Sequence, residues 1–344
     1  MNPYALTMIT SSLALGTITA LSSFHWILAW IGLEINTLAI IPLMTKNPHP
    51  RSIEAATKYF LTQAAASALI LFSSILNAWL LGEWAINNFM NPMSAIFLSI
   101  AMSTKLGLAP FHFWMPDVLQ GLTLQTGWIL STWQKLAPLA ILLQLSQSLN
   151  LSLMMAIGLL SILIGGWGGI NQNQIRKILA FSSIAHLGWM VTILKISPSL
   201  SILNFTLYII LSSTLFYTFI VINSTNISQL ATTWTKVPAL TALSLLSLLS
   251  LSGLPPLTGF LPKWLIAQEL IKQDLILISF IMLTLTLLSL FFYLRLTYTI
   301  SLTMAPNSSP SLSLWHLKKK NNLAFLILLT LCLLPLSPSI LCLI

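Results

Sequence analysis

Four charged residues stand where an apolar chain should carry none: Glu34, Lys105, Lys135 and Lys263 each fall inside a long hydrophobic run. Glu34 lies about nine residues into the run that begins at His25, Lys105 about thirteen into the run from Pro92, and Lys135 about twelve into the run from Thr123. At 1.5 Å per helical residue these depths are roughly 14, 20 and 18 Å, near the middle of a hydrocarbon layer about 30 Å thick. A central Lys or Glu costs roughly 2.5–3.5 kcal/mol on insertion scales, so four of them imply partners and a use. Desolvation disfavours the charged form of a buried amine, and a lysine so placed can release and regain a proton. These residue types therefore suggest proton exchange along a buried axis. Glu34 is the one acid at mid-depth and a natural counter-ion for Lys105. The simpler alternative is a structural ion pair beside lysines whose stems reach for the interface. Depth argues against that alternative for Lys105 and Lys135 and leaves Lys263 more evenly balanced.

Histidines and cysteines add little to this set. His186, in Ser182-Ser183-Ile184-Ala185-His186, has small polar neighbours that can hold a water, and is either a relay or a hydrogen-bonded packing residue. His112 is placed to cap carbonyls freed by a break in its helix, and His25, His49 and His316 fall at helix ends or in loops. Cys332 and Cys342 lack CxxC or Cys/His spacing, so a disulfide, a metal site and an iron–sulfur cluster are all unsupported. No G-x-G-x-x-G follows a strand, and no cofactor is expected to bind this chain.

The elements that must position the lysines are two broken helices. In Gly253-Leu-Pro-Pro-Leu-Thr-Gly-Phe-Leu-Pro-Lys-Trp264, Pro255 and Pro256 cannot donate backbone hydrogen bonds and clash with the preceding turn. Gly259 and Pro262 keep the helix open for about two turns, and Lys263 follows at once. Gly107-Leu108-Ala109-Pro110 with Pro116-Asp117 repeats the device, with Lys105 just before it. Irregular backbone at membrane depth must be buried in protein or line a wet cavity, and paired breaks are a pointer to repeats around an ion or solute path. The Gly165-Gly166-Trp167-Gly168-Gly169 cluster reads as close helix packing, since no strand precedes it. Glu54 and Lys58 are spaced for an i,i+4 pair at a solvated helix start, and Asp117 reads as a solvated residue that can cap the next turn.

Composition agrees. Of 344 residues, 56% are hydrophobic and 6% charged, with a mean hydropathy of +0.90. Soluble domains carry roughly a quarter charged residues, so a water-soluble fold is excluded and the chain is an all-α polytopic membrane protein. The formal charge of +9 reads as loop lysines and arginines that set orientation; no nucleic-acid partner is expected. Met1-Asn2-Pro3 is expected to carry no cleavable leader.

About eleven spans are expected: 3–21, 25–45, 55–81, 92–116 (broken), 123–145, 149–170, 175–194, 200–222, 238–271 (broken), 275–301 and 323–344. The stretches 223–236 and 306–321 are expected as polar surface loops. With that count, ten loop cations (Lys46, Arg51, Lys58, Arg176, Lys177, Lys236, Arg295 and Lys318 to Lys320) share the side of the N-terminus. Lys195 and Lys272 lie opposite, so the N-terminus faces the inner compartment. The two broken spans are five apart and cross in opposite directions. The expected organisation is one transmembrane domain of inverted repeats, residues 1–147 and 148–301, plus a C-terminal helix at 323–344.

Pro110-Phe-His-Phe-Trp-Met-Pro-Asp117 resembles the hallmark of the antiporter-like subunits of respiratory complex I, relatives of Mrp-type sodium/proton antiporters. Leu254-Pro-Pro-Leu-Thr-Gly-Phe-Leu-Pro-Lys-Trp264, Lys58-Tyr-Phe-Leu-Thr-Gln63 and Arg176-Lys-Ile-Leu-Ala-Phe-Ser-Ser-Ile-Ala-His-Leu-Gly-Trp189 are similar to the animal mitochondrial branch of that family, over the whole length. The resemblance implies a core membrane-arm subunit of NADH:ubiquinone oxidoreductase in the mitochondrial inner membrane, with its N-terminus in the matrix. It implies a polar proton axis of Glu34, Lys105, Lys135 and Lys263, with His186 as relay, driven by electron transfer elsewhere in the complex. NADH, FMN, iron–sulfur clusters and ubiquinone would serve the whole complex, none of them bound here. Partners would be the other membrane-arm subunits and the bilayer, with cardiolipin a candidate lipid. Bacterial members carry three more N-terminal helices, which this chain is expected to lack, so their partner contacts do not carry over. A self-contained cation/proton antiporter and an assembly scaffold with a vestigial axis stay open beside this reading.

Overall fold

The computed structural model describes residues 2–86, 90–235 and 238–302, together with Ile327 and Thr330. Among these residues the chain is built from thirteen α-helices and one 3-10 turn, and it divides into two compact units.

The first unit, Met1–Ser161 with Leu194–Pro198, holds α1 (Pro3–Ser22), α2 (Trp26–Met44), α3 (Pro50–Leu81), α4 (Pro92–Leu106), α5 (Trp114–Gly121), α6 (Leu124–Gln144) and the start of α7 (Leu151–Ile170). Helices α1 and α2 approach closely enough that a Cβ on Gly32 would lie 2.7 Å from the Ala20 nitrogen. Trp30 on α2 donates to the Ser67 carbonyl on α3 (3.1 Å), and Gln134 on α6 donates to the Asn36 carbonyl on α2 (3.2 Å). Buried indole and amide groups in such a helix bundle need partners, and these two bonds fix the rotation of α2 against its neighbours.

The second unit, Ile162–Ile193 with Ser199–Ile344, holds the rest of α7, α8 (Ile175–Ile193), α9 (Pro198–Ile222), α10 (Ile227–Ala231), a 3-10 turn (Thr232–Thr235), α11 (Pro238–Ser252), α12 (Phe260–Lys272) and α13 (Ile276–Leu302). The glycine cluster of α7 serves close packing here: a Cβ on Gly165 would lie 2.7 Å from the Ala185 nitrogen on α8, and one on Gly169 would lie 2.7 Å from the Phe292 ring on α13. The Arg295 guanidinium donates to the carbonyls of Ile170 and Gln172, closing the C-terminal end of α7.

Among the described residues, six helices are long and apolar enough to cross a membrane: α1, α2, α3, α7, α9 and α13. The expectation of eleven spans adds the more polar α6 and α8, the two broken pairs α4/α5 and α11/α12, and residues 323–344. That last segment, apart from Ile327 and Thr330, lies outside the described residues, as do Lys236, Lys318 to Lys320, His316, Cys332 and Cys342. Helix α3 starts at Pro50 rather than Ala55. His49 accepts from the Arg51 amide and Ser52 returns a bond to the His49 amide, a capping box that adds about a turn of polar helix ahead of the apolar run. The stretch 223–236, expected as loop, contains α10, started by Gln229 accepting from the amides of Thr225 (2.7 Å) and Asn226. The Asn226-x-x-Gln229 spacing was the sequence signal for it.

Candidate functional site

Both breaks form by the same local logic. Helix α4 ends at Leu106 with Gly107 at φ +75°, and α11 ends at Ser252 with Gly253 at φ +85°. A left-handed residue after the last turn is where glycine is favoured, and the prolines that follow prevent continuation. Each break leaves helix carbonyls to be satisfied from elsewhere. At the first, Trp114 of α5 reaches back and donates to the Thr104 carbonyl (3.0 Å), while buried His112 hydrogen-bonds to Pro110. At the second, Lys263 of α12 reaches back and donates to the Ser252 carbonyl at 2.8 Å. Lys263 stands in the first turn of α12, where the helix dipole repels a cation; its ammonium instead lies at the negative C-terminal end of α11. The path back runs over Gly253, where a Cβ would meet the Lys263 Nζ at 2.8 Å.

Lys105 belongs to the last turn of α4, so its charge also lies at a helix C-terminus. Its Nζ is buried and has no hydrogen-bond partner among the described residues. It shares a small cavity with Lys135 of α6, bounded by Asn36, Tyr59, Gln63 and Gln134 among apolar side chains, with Trp114 in its wall. The cavity measures about 20 Å³, room for the centre of about one water. The Gln63 amide nitrogen is likewise buried without a partner. Pro138, also lining the cavity, leaves the Gln134 carbonyl without its helical bond one residue from Lys135. Two lysines, a tyrosine and three side-chain amides thus line one water-sized space.

Glu34 is half-buried on α2, and its charge is felt at both Lys105 and Tyr59. The expected contact is looser than an ion pair: Glu34 Oε2 and Lys105 Nζ have no hydrogen-bond partner among the described residues. Ion pairs among the described residues join Lys58 to Glu54 and to Asp117, both at 2.9 Å, and Lys272 to Glu269 at 3.1 Å. Asp117 is thus an ion-pair partner rather than a cap. His186 is half-buried on α8 with its ring 5.7 Å from that of Tyr208, in the unit that holds Lys263. Lys105, Lys135 and Glu34 lie together in the other unit. Tyr59, Gln63, Asn36 and Gln134 carried no assigned role in the sequence. The i,i+4 spacing of Tyr59 and Gln63, which puts both on one face of α3, was the available signal.

Residues 23–289 match the family model for the NADH:quinone oxidoreductase/Mrp antiporter transmembrane segment, and residues 290–341 match that for the NADH dehydrogenase subunit 2 C-terminus. The NADH-ubiquinone oxidoreductase chain 2 of Aquarana catesbeiana is 59% identical over 344 residues, covering 99% of each chain. That of Xenopus laevis is 60% identical over 341 residues, covering 98% of this chain and 99% of its own. Among solved structures, a chain of respiratory complex I from Thermus thermophilus superposes with a TM-score of 0.83 at 25% identity, over 98% of this chain and 80% of that one. A chain of the Mrp complex from Dietzia shares the fold at a TM-score of 0.77 and 17% identity, over 91% and 64%.

Proposed function

The chain belongs to the NADH-ubiquinone oxidoreductase chain 2 family of antiporter-like membrane subunits, and from that membership we propose that it moves protons through a buried Glu/Lys axis. The observation that carries this reading is the cavity shared by Lys105 and Lys135, built against the first broken helix. Glu34 tunes the charge at Lys105, Lys135 exchanges the proton through the cavity, and Lys263, with His186 as relay, passes it on through the second unit. Each transfer breaks one N–H bond and makes another, with no electron moved in this chain. NADH, FMN, iron–sulfur clusters and ubiquinone do their work elsewhere in the complex, and quinone reduction there supplies the field change that drives the axis.

The setting is the mitochondrial inner membrane, with eleven spans, inverted repeats over residues 1–147 and 148–301, and the N-terminus in the matrix beside the ten loop cations. Neighbours are the other complex I membrane-arm subunits and the bilayer, cardiolipin included. A free cation/proton exchanger is the lesser reading, because the described lining of the Lys105–Lys135 cavity includes no carboxylate to bind a metal cation.

The test is Lys135→Met in the assembled complex, reconstituted in vesicles. Chain levels in the large NADH-oxidising assembly on a native gel should hold, while coupled turnover falls about tenfold or more, as expected for loss of a group that handles the proton directly. A normal number of protons pumped per NADH would overturn the axis.

A further inference from the structure

A second, wetter cavity lies beside the first. Arg51, Glu54 and Lys58 of α3 and Asp117 and Gln120 of α5 surround about 100 Å³. Lys58 is bonded to both carboxylates at 2.9 Å and is 43% exposed, Glu54 61% and Asp117 48%. The two cavities draw lining residues from the same two helices: on α3 Lys58 borders the outer one and the next residue, Tyr59, the inner one, while on α5 Asp117 borders the outer and Trp114, one turn earlier, the inner. Tyr59 and Trp114, both lining the inner cavity, meet edge to face with centroids 5.7 Å apart. Helix α5 is held tight on α3 at this level, since a Cβ on Gly121 would lie 2.6 Å from the Arg51 carbonyl. Lys105 and Gln63 line the same inner cavity, and Lys105 Nζ and Gln63 Nε2 are buried and without hydrogen-bond partners among the described residues.

We propose that the Glu54–Lys58–Asp117 cluster is the proton-loading mouth of the Lys105–Lys135 cavity, and that the Tyr59–Trp114 pair is the partition a proton must pass. Exposed carboxylates beside a lysine collect protons from water and hold them near the partition, and the lysine keeps the pair from closing into a tight acid dimer. The step is a proton transfer: an O–H bond forms on Asp117 or Glu54 as a hydronium ion gives up its proton. That bond then breaks as an N–H bond forms on neutral Lys105 or Lys135, by way of water. This inference rests on the lysine axis proposed above and adds where the axis is loaded.

The experiment compares three complexes reconstituted in vesicles: the parent, Lys135→Met, and the double variant Glu54→Gln with Asp117→Asn. Exposed ion pairs contribute little to folding, so the double variant should assemble at the parent's level on a native gel. Its coupled turnover should fall several-fold at alkaline pH, where protons are scarce, and recover at acid pH or on adding a small mobile weak acid such as imidazolium. Parent-like turnover across the whole pH range, with Lys135→Met impaired, would overturn the mouth alone. A Lys135→Met complex that pumps normally would overturn the axis and the mouth together. Failure of the double variant to assemble would assign the cluster to structure and count against the proposal.

Discussion

Gly259→Ala is expected to leave almost none of the chain in the assembled complex. The methyl carbon at that position would run into the Ser250 carbonyl oxygen and fall 2.9 Å from its carbon. Both are backbone atoms of α11, so no side chain can rotate to make room. Overpacking in a core that can shift costs about 1–3 kcal/mol. Here the break itself would have to open, and a cost above about 4 kcal/mol is expected. The contact is what seats α12 against the end of α11, and with it the reach of Lys263. A native gel of gently solubilised membranes, probed for this chain, measures the outcome. Gly82→Ala is the control: Gly82 is left-handed at φ +76°, and an added Cβ would meet nothing within 4 Å among the described residues beyond its own turn, so only backbone strain of about 1 kcal/mol applies and assembly should persist. Equal assembly of the two variants would refute the close seating of the second break.

Lys263→Met should do the reverse, sparing assembly and stopping transport. The hydrogen bond to the Ser252 carbonyl is lost, and bonds from charged donors are worth about 1.5–3 kcal/mol. Against this, methionine removes an ammonium that is desolvated and set in the unfavourable first turn of α12, a penalty of several kcal/mol per buried ion. The two effects oppose each other, and a net change within about 2 kcal/mol is expected. Methionine also keeps much of the side-chain volume beside Gly253. Coupled turnover in vesicles should nonetheless fall about tenfold or more, because no titratable group remains at that point of the axis. Normal pumping per NADH with normal assembly would leave Lys263 as a C-cap for α11 and nothing more.

The sequence by itself determined where the helices lie, where two of them break and which charges are buried within them. Hydropathy is a sum over neighbours in the chain, and Pro and Gly act on the very turn they occupy, so both can be read without knowing what packs where. The breaks at Gly107 and Gly253 and the interior positions of Lys105, Lys135 and Lys263 follow from that local physics. Polar helix starts escaped it at Pro50 and Ile227, because capping groups there make helix outside the apolar runs.

Only the tertiary structure decided which side chains meet. Helices that are apolar all round give no face to orient. The sequence therefore does not state that Lys105 and Lys135 share one cavity while Glu34 stands off from an ion pair with Lys105. It does not state that Asp117 pairs with Lys58, 59 residues away. Nor does it state that Lys263 turns back across its own break to the Ser252 carbonyl. Those facts depend on the rotation of each helix about its axis, set by interhelical bonds such as Trp30 to Ser67 and Gln134 to Asn36 and by glycine contacts that let backbones touch. Rotation is a property of neighbours distant in the chain, and it decides which of the buried charges line one cavity.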